Sequence, residues 1–154
     1  MKPKKEYTPV ISNRQALRDY TIEKTFEAGI QLKGSEIKSL RAALGNLKGS
    51  FVKVEGEEIF LYGLHITPYK FSRDETETLR IRKLLLHKRE IKYLAVKSLE
   101  KGYAIIPLKI YFSRGYAKVE IAIAKGKKLY DKRAAIKEKQ AQREISRELR
   151  NKNR

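Results

Sequence analysis

The chain has 154 residues, which suits one domain plus an appendage. It carries 36 Lys and Arg against 18 Asp and Glu, a formal charge of +18. A globular enzyme acting on a small substrate rarely needs that excess, so it points to a polyanion, nucleic acid first and an anionic membrane surface second. There is no cysteine, which excludes disulfides, thiol catalysis and thiolate zinc sites, and no run approaches the ~20 apolar residues of a membrane-spanning helix. Charged residues make up 35% of the chain and Met occurs only at position 1, a bias that leans towards a thermophile.

In chain order, residues 1–12 are basic and aperiodic, with no apolar stretch to make a signal peptide. Asn13 to Asp19 reads as one or two helical turns capped by Ser12 or Asn13. Tyr20 to Leu32 alternates with period two, placing Tyr20, Ile22, Lys24, Phe26, Ala28, Ile30 and Leu32 on one face. Gly29 inside that strand suggests a bulge or bend. Ser35 to Gly45 reads as a helix with Ile37, Leu40 and Leu44 on one face and Gly45 closing it. Ser50–Val54 and Glu58–Leu64 form a hairpin about Glu55-Gly56-Glu57. Ile66 to Phe71 is another short strand, broken at Pro68, and Ser72 to Thr78 is a polar loop.

Leu79 to Leu86 mixes basic and apolar residues, so Arg80, Arg82 and Lys83 are expected outside with Leu84 to Leu86 anchored inside. Lys88 to Leu99 reads as a helix with Ile91, Leu94, Ala95 and Leu99 on one face. Tyr103–Phe112 and Tyr116–Ala124 are strong strands about Ser113-Arg114-Gly115. In the second, Ala117, Val119, Ile121 and Ile123 face one way, and Lys118, Glu120 and Ala122 the other. About six strands, two or three helices and no βαβ alternation indicate a mainly β domain, a small closed or partly closed barrel. Composition leaves an oligonucleotide-binding barrel, an SH3-like barrel and an α+β sheet as alternatives.

From Lys127 to Arg154, 11 of 28 residues are Lys or Arg, against four acids, with no Gly or Pro. Large aliphatics are too sparse for a continuous buried stripe. The expectation is a domain over 1–126 and a tail over 127–154 that is disordered alone and becomes helical on a polyanion. The alternative is a solvated helix packed on the body.

No catalytic constellation assembles. His65 and His87 lie in different elements without metal-ligand spacing, and Lys125-Gly126-Lys127-Lys128 lacks the spaced glycines of a phosphate loop. Nothing local brings Glu27 and Glu36 together as a carboxylate pair. A binding surface is easier to build: the Arg80–Leu86 segment supplies cations, exposed Tyr residues can stack on unpaired bases, and Glu27 can accept from a base edge or a ribose 2′-OH. The bland reading of Glu27 is a pair with a nearby Lys.

Four ordered words, Asn13-Arg14-x-Ala16, Tyr20-x-Ile22-x5-Glu27-Ala28-Gly29-Ile30-x-Leu32-x-Gly34-x-Glu36-Ile37-Lys38-Ser39-Leu40-Arg41, Arg80-x-Arg82-Lys83-Leu84-Leu85-Leu86 and Ala124-Lys125-Gly126-Lys127-Lys128-x-Tyr130-Asp131-Lys132-Arg133, resemble the SsrA-binding protein (small protein B) family. The resemblance spans essentially the whole chain. It implies an oligonucleotide-binding-type barrel with added helices and no enzymatic activity or cofactor. The partners implied are the tRNA-like domain of transfer-messenger RNA (tmRNA) and the small-subunit RNA of stalled ribosomes, with no DNA or membrane partner. A cytoplasmic monomer is expected. By match, Asn13, Glu27, Leu85 and Lys118 serve the tmRNA interface, with Arg80, Arg82 and Lys83 in its supporting segment. The barrel replaces the missing anticodon arm. The tail probes the decoding centre and empty messenger channel, where Lys127, Lys128, Tyr130, Asp131, Lys132 and Arg133 reach the decoding centre and Ile145 and Leu149 anchor the tail helix. Tyr130 stands where some members carry His. Two departures, the 72–78 loop and Gly49 in place of a common Asp, bear on loop geometry.

Overall fold

Three eleven-residue stretches rich in β-branched and aromatic residues form the longest strands, β2 (Tyr20–Ile30), β8 (Tyr103–Ser113) and β9 (Tyr116–Gly126). The computed structural model describes residues 9–68, 78–127 and 129–152, and the side chains of 11–68, 78–127 and 136–152 among them. Shorter strands are β1 (Pro9–Ser12), β3 (Gly45–Asn46), β4 (Phe51–Glu55), β5 (Glu58–Tyr62), β6 (His65–Ile66) and β7 (Arg82–Leu85). The helices are α1 (Arg14–Asp19), α2 (Gly34–Arg41), α3 (Lys88–Ser98) and α4 (Leu129–Lys152). Strands β8, β4, β5, β7, β2 and β9 follow one another in that order, and β9 pairs back onto β8. All these pairings are antiparallel. Six strands thus close a ring, with β1 added along β8. Two seams of the ring are short: β7 meets β2 at Gly29 and Ile30, and β4 meets β8 at Val52 and Ile105. This is the expected mainly β barrel with attached helices.

Inward-facing Ala28 and Ile30, Ile59 and Leu61, Leu84, Ile105 and Ile110, and Val119, Ile121 and Ile123 fill the ring, joined by Leu40 of α2 and Ile91 and Leu94 of α3. A second layer lies outside the sheet. There α1 packs Ala16 onto Ile106, Ala122 and Ala124, flanked by Tyr20 and Ile22. Two bulges allow both layers to exist. The register of β2 shifts between Ile22 and Lys24, and that of β8 between Pro107 and Lys109. Tyr20 and Ile22 therefore pack under α1, while Phe26, Ala28 and Ile30 turn to the barrel interior. The expected single face over the whole strand is corrected accordingly. Pro107 has no N–H to give a ladder, which is where strands interrupt their pairing. The bulge in β2 sits at Glu23, not at Gly29.

Helix α2 ends earlier than its apolar spacing implied. The Ala43 and Leu44 N–H groups return to the Leu40 and Ser39 carbonyls (2.9 Å each), and Ala43 takes the left-handed turn with φ 59°. The buried face is Glu36, Ser39 and Leu40, and Leu44 is exposed. Gly45 serves another purpose: a Cβ there would stand 2.6 Å from Ile11 Cδ1, so the residue admits β1 against the body. In α3, Ile91 and Leu94 are buried as expected, but Leu99 is the C-cap and 87% exposed. The expected 66–71 strand is only the His65–Ile66 pair within the described residues. Its residues 69–71, like most of the 72–78 loop, lie outside them.

Candidate nucleic-acid interface

The register of three adjacent ladders sets one row of side chains across the outer wall. Leu85 on β7 pairs with Gly29 on β2, Gly29 with Lys118 on β9, and Lys118 with Tyr111 on β8. Outward orientation follows from alternation: Leu84, Ala28, Val119 and Ile110, each one residue away, are core. Gly29 matters because a Cβ there would stand 3.3 Å from Leu85 Cβ and 3.5 Å from its Cδ1. With no side chain in the way, Leu85 lies across the strand and remains 49% exposed. Gly29, Gln31, Ile37, Leu85, Tyr116 and Lys118 line a groove of about 510 Å³. Tyr116, at the β8–β9 turn, is 72% exposed, an aromatic face open for stacking.

Glu27 lies two residues before Gly29 on the same outer face, opposite Glu120. Two carboxylates directly across a ladder repel. The structure separates their roles. Lys109 Nζ lies 3.1 Å from Glu120 Oε2, while the Tyr111 hydroxyl donates a hydrogen bond to Glu27 Oε2. The partner of Glu27 is thus a neutral phenol, not a lysine. A second depression of about 540 Å³ begins at Glu27 and runs past Lys24, Phe26, His87, Arg89 and Tyr93. Lys24 Nζ sits 4.7 Å from the Tyr93 ring centre and 5.2 Å from that of Phe26.

The Arg80–Leu86 segment corrects the expectation of cations outside and leucines inside. Arg82 and Leu84 are fully buried, whereas Ile81 and Leu85 are exposed. The Arg82 Nε donates to Glu36 Oε2 at 2.7 Å, and its Nη1 donates to the Leu64 carbonyl (2.7 Å) and the Arg80 carbonyl (3.0 Å). Arg80 Nη2 donates to the other Glu36 oxygen. A guanidinium in the interior is tolerated only when paired and hydrogen-bonded, and these bonds meet that requirement. Burial by itself raises the Glu36 pKa. The Lys33 N–H and the two guanidiniums outweigh that and hold the carboxyl below its usual value of 4.5. Burial pushes the Arg82 pKa down, and Glu36 opposes it. Glu36 was not singled out as a site residue, because its usual role at the third helical position, accepting the Lys33 N–H, looks like ordinary capping.

Lys83 faces outward and pairs with Glu58 at 3.1 Å. Asn13 is buried and caps α1: its Oδ1 accepts from the Ala16 N–H, while its Nδ2 and N–H donate to the carbonyls of Pro107 and Leu108 at the β8 bulge. It therefore stands apart from the row and clips α1 to the barrel. Tyr111 and Tyr116 were not named individually in the sequence. Their outward period-two positions on β8 and β9 were the available signal.

At the tail, the Lys127 N–H donates to the Asp19 carbonyl (2.9 Å), and its Nζ donates to the Leu17 carbonyl (3.4 Å), so the chain leaves the body beside α1. Lys128 lies outside the described residues. Tyr130, Asp131, Lys132 and Arg133 belong to α4, but their side chains lie outside those described. From Ile136 to Lys152 all side chains are exposed, Ile145 and Leu149 at 58% each. Among the described residues no group of three His, Asp or Glu is placed to hold a metal ion, and no helix is long and apolar enough to cross a membrane.

Residues 10–151 match the SmpB protein family. The chain is 52% identical over 149 residues to the SsrA-binding protein of Geobacillus thermodenitrificans (strain NG80-2), covering 96% of each chain. It is 55% identical over 141 residues to that of Caldicellulosiruptor bescii, covering 91% of this chain and 89% of the relative. A solved structure described as "tmRNA-SmpB: a journey to the center of the bacterial ribosome" superposes with a TM-score of 0.69 at 48% identity, covering 84% of this chain and 95% of that one.

Proposed function

The chain belongs to the SmpB protein family, and from that premise we propose that it binds the tRNA-like domain of tmRNA and delivers it to stalled ribosomes in trans-translation. The observation that carries this reading is the outer row Leu85–Gly29–Lys118–Tyr111 with Glu27 beside it. It combines an exposed apolar contact, a cation for phosphate and a fixed acceptor on one wall of a barrel in a chain of charge +18. Phosphate contacts set register and acceptors discriminate bases, so the wall is equipped to recognise one folded RNA. Glu27, Leu85 and Lys118 are the direct contacts, and Lys83 extends them. Arg80 and Arg82 act through Glu36 by holding the β7 segment. Asn13 acts by holding α1.

The body over 1–126 occupies the position of the anticodon arm that tmRNA lacks. The tail over 127–154 is a separate arm for the ribosome. The helix α4 presents only exposed side chains from Ile136 onward, so packing on the body supplies little of its stability. That supports an arm that is disordered alone and helical in the messenger channel. There Lys127, Lys128, Tyr130, Asp131, Lys132 and Arg133 reach the decoding centre, and Ile145 and Leu149 anchor the helix. The protein works as an adaptor without chemistry of its own, in the cytoplasm with its ribosomes.

The deciding experiment is crosslinking in cell lysate followed by sequencing of the bound RNA. One dominant partner with a tRNA-like fold is expected. Equal recovery of unrelated RNAs would overturn the reading in favour of a general ribosomal or ribosome-maturation protein.

A further inference from the structure

We propose that α1 is the ledge on which the tail helix starts, with Leu17 of α1 and Ile136 of α4 as the paired positioning residues that aim the arm. It rests on reading 127–154 as an arm for the ribosome, and adds what sets its direction. Helix α1 is itself held to the body. Its inner side packs Ala16 on Ile106, Ala122 and Ala124, and Asn13 ties its start to the Pro107 carbonyl. The last carbonyls of a helix have no partner within it, and Lys127 takes two of those of α1. Its N–H donates to the Asp19 carbonyl (2.9 Å) and its Nζ to the Leu17 carbonyl (3.4 Å). The chain is thereby fastened to α1 just before α4 begins at Leu129.

The side chains continue the contact. Leu17, next to the buried Ala16, is 57% exposed, and Ile136 is 46% exposed. Both line one depression of about 370 Å³, together with Arg18, Glu138, Lys139 and Gln142. Ile136, Lys139 and Gln142 follow one another at three-residue spacing, so they form one row on α4. The other large aliphatics of the tail stand elsewhere. Ile145 comes about two and a half turns after Ile136, which puts it on the opposite side, and Leu149 lies beside it about one turn further on. The two apolar spots of α4 therefore have different destinations. Fixing the first turn is the costly step of helix formation, and each later residue adds its own hydrogen bond. A strongly charged segment bears that cost poorly alone. Two hydrogen bonds from Lys127 and an aliphatic contact at Leu17 lower it at one place. The helix starts at α1, runs in the direction α1 sets, and leaves the side with Ile145 and Leu149 uncovered for the ribosome.

The test uses the full chain with tmRNA and stalled ribosomes. The chain has no cysteine, so an introduced pair is the only target of a short bis-maleimide crosslinker. Leu17→Cys with Ile136→Cys is expected to crosslink readily, and Leu17→Cys with Ile145→Cys slowly. Equal rates, or no crosslink in either pair, would overturn the ledge. The protein crosslinked between 17 and 136 is expected to keep both its affinity for the tRNA-like RNA and its rescue of stalled ribosomes. Loss of rescue with RNA affinity intact would overturn the aiming role, because the arm would then have to leave α1 to work. Leu17→Ala and Ile136→Ala are each expected to lower rescue about fivefold, the scale of half-burying an aliphatic side chain. RNA affinity and melting temperature stay near wild type, as for other exposed positions. Leu17→Met, which keeps the apolar contact, rescues like wild type, and the double alanine variant is little worse than either single one. Fully additive losses would place the two residues in separate contacts and overturn their pairing. If the unmodified chain fails to rescue ribosomes, the functional reading falls instead, and the contrast between the two crosslinks still decides the ledge.

Discussion

Arg82 Nε donates to Glu36 Oε2 at 2.7 Å inside the body, joining β7 to the first turn of α2. The two residues are 46 apart in sequence. Arg82 is fully buried and Glu36 is 2% exposed, so each is the other's compensation for leaving water. Through this pair the strand that carries Leu85 and Lys83 is fixed to the helix that flanks the groove.

This pair makes a pH-dependent prediction. Glu36 has its pKa lowered in the folded state, so its stabilisation is present above the unfolded value near 4.5 and is lost as pH falls through the lower folded value. Urea midpoints of the wild type should therefore drop below about pH 4.5, and those of Glu36→Gln should drop less. At neutral pH, Glu36→Ala should cost about 3–5 kcal/mol, because it leaves a buried guanidinium unpaired. A neutral-pH cost under about 0.5 kcal/mol, the level of an ordinary surface change, would contradict the buried-pair account.

Leu85 and Asn13 should separate binding from folding. Leu85→Ala removes an exposed side chain, so unfolding free energy should change by no more than about 0.5 kcal/mol while tmRNA affinity falls. Asn13→Ala removes a helix cap and the bond to Pro107, so it should cost about 1–2 kcal/mol, with a smaller effect on affinity well below the unfolding temperature. Denaturation curves and anisotropy titrations on the two variants read both quantities. The reverse pattern would make Leu85 a core residue and Asn13 a contact.

Lys118 is a phosphate contact in this reading. Lys118→Ala should weaken binding to the tRNA-like RNA and flatten the plot of log affinity against log salt by about one unit or slightly less. A lower affinity with an unchanged slope would place the lysine outside direct phosphate contact.

The tail should be separable. Deleting residues 131–154 should leave affinity for the tRNA-like RNA within about twofold, since their loss does not touch the barrel wall, while rescue of stalled ribosomes is lost. A peptide of residues 127–154 should show little helix by circular dichroism, because a lone charged segment of this length is marginal in water. Equal loss of binding and rescue would remove the division into body and arm.

The charge excess, the absence of cysteine, the alternation in β9 and the ordered family words are local or additive properties. They were legible without a structure and led to a basic, mainly β RNA-binding protein. Helix α1 was legible for the same reason, since a cap acts within one turn, although the choice between Ser12 and Asn13 fell to the structure. What alternation misread were the places where a partner far along the chain decides orientation. Arg82 looks like a surface cation until Glu36 and the Leu64 carbonyl close around it. Leu85 looks like a core residue until Gly29 gives it room to lie outside. Ile22 and Ile30 look like one face until a bulge turns the strand between them. Side-chain period is set by the residue itself and its neighbours. Which face meets water is set by the strands and helices that arrive beside it, and only the closed barrel brings those together.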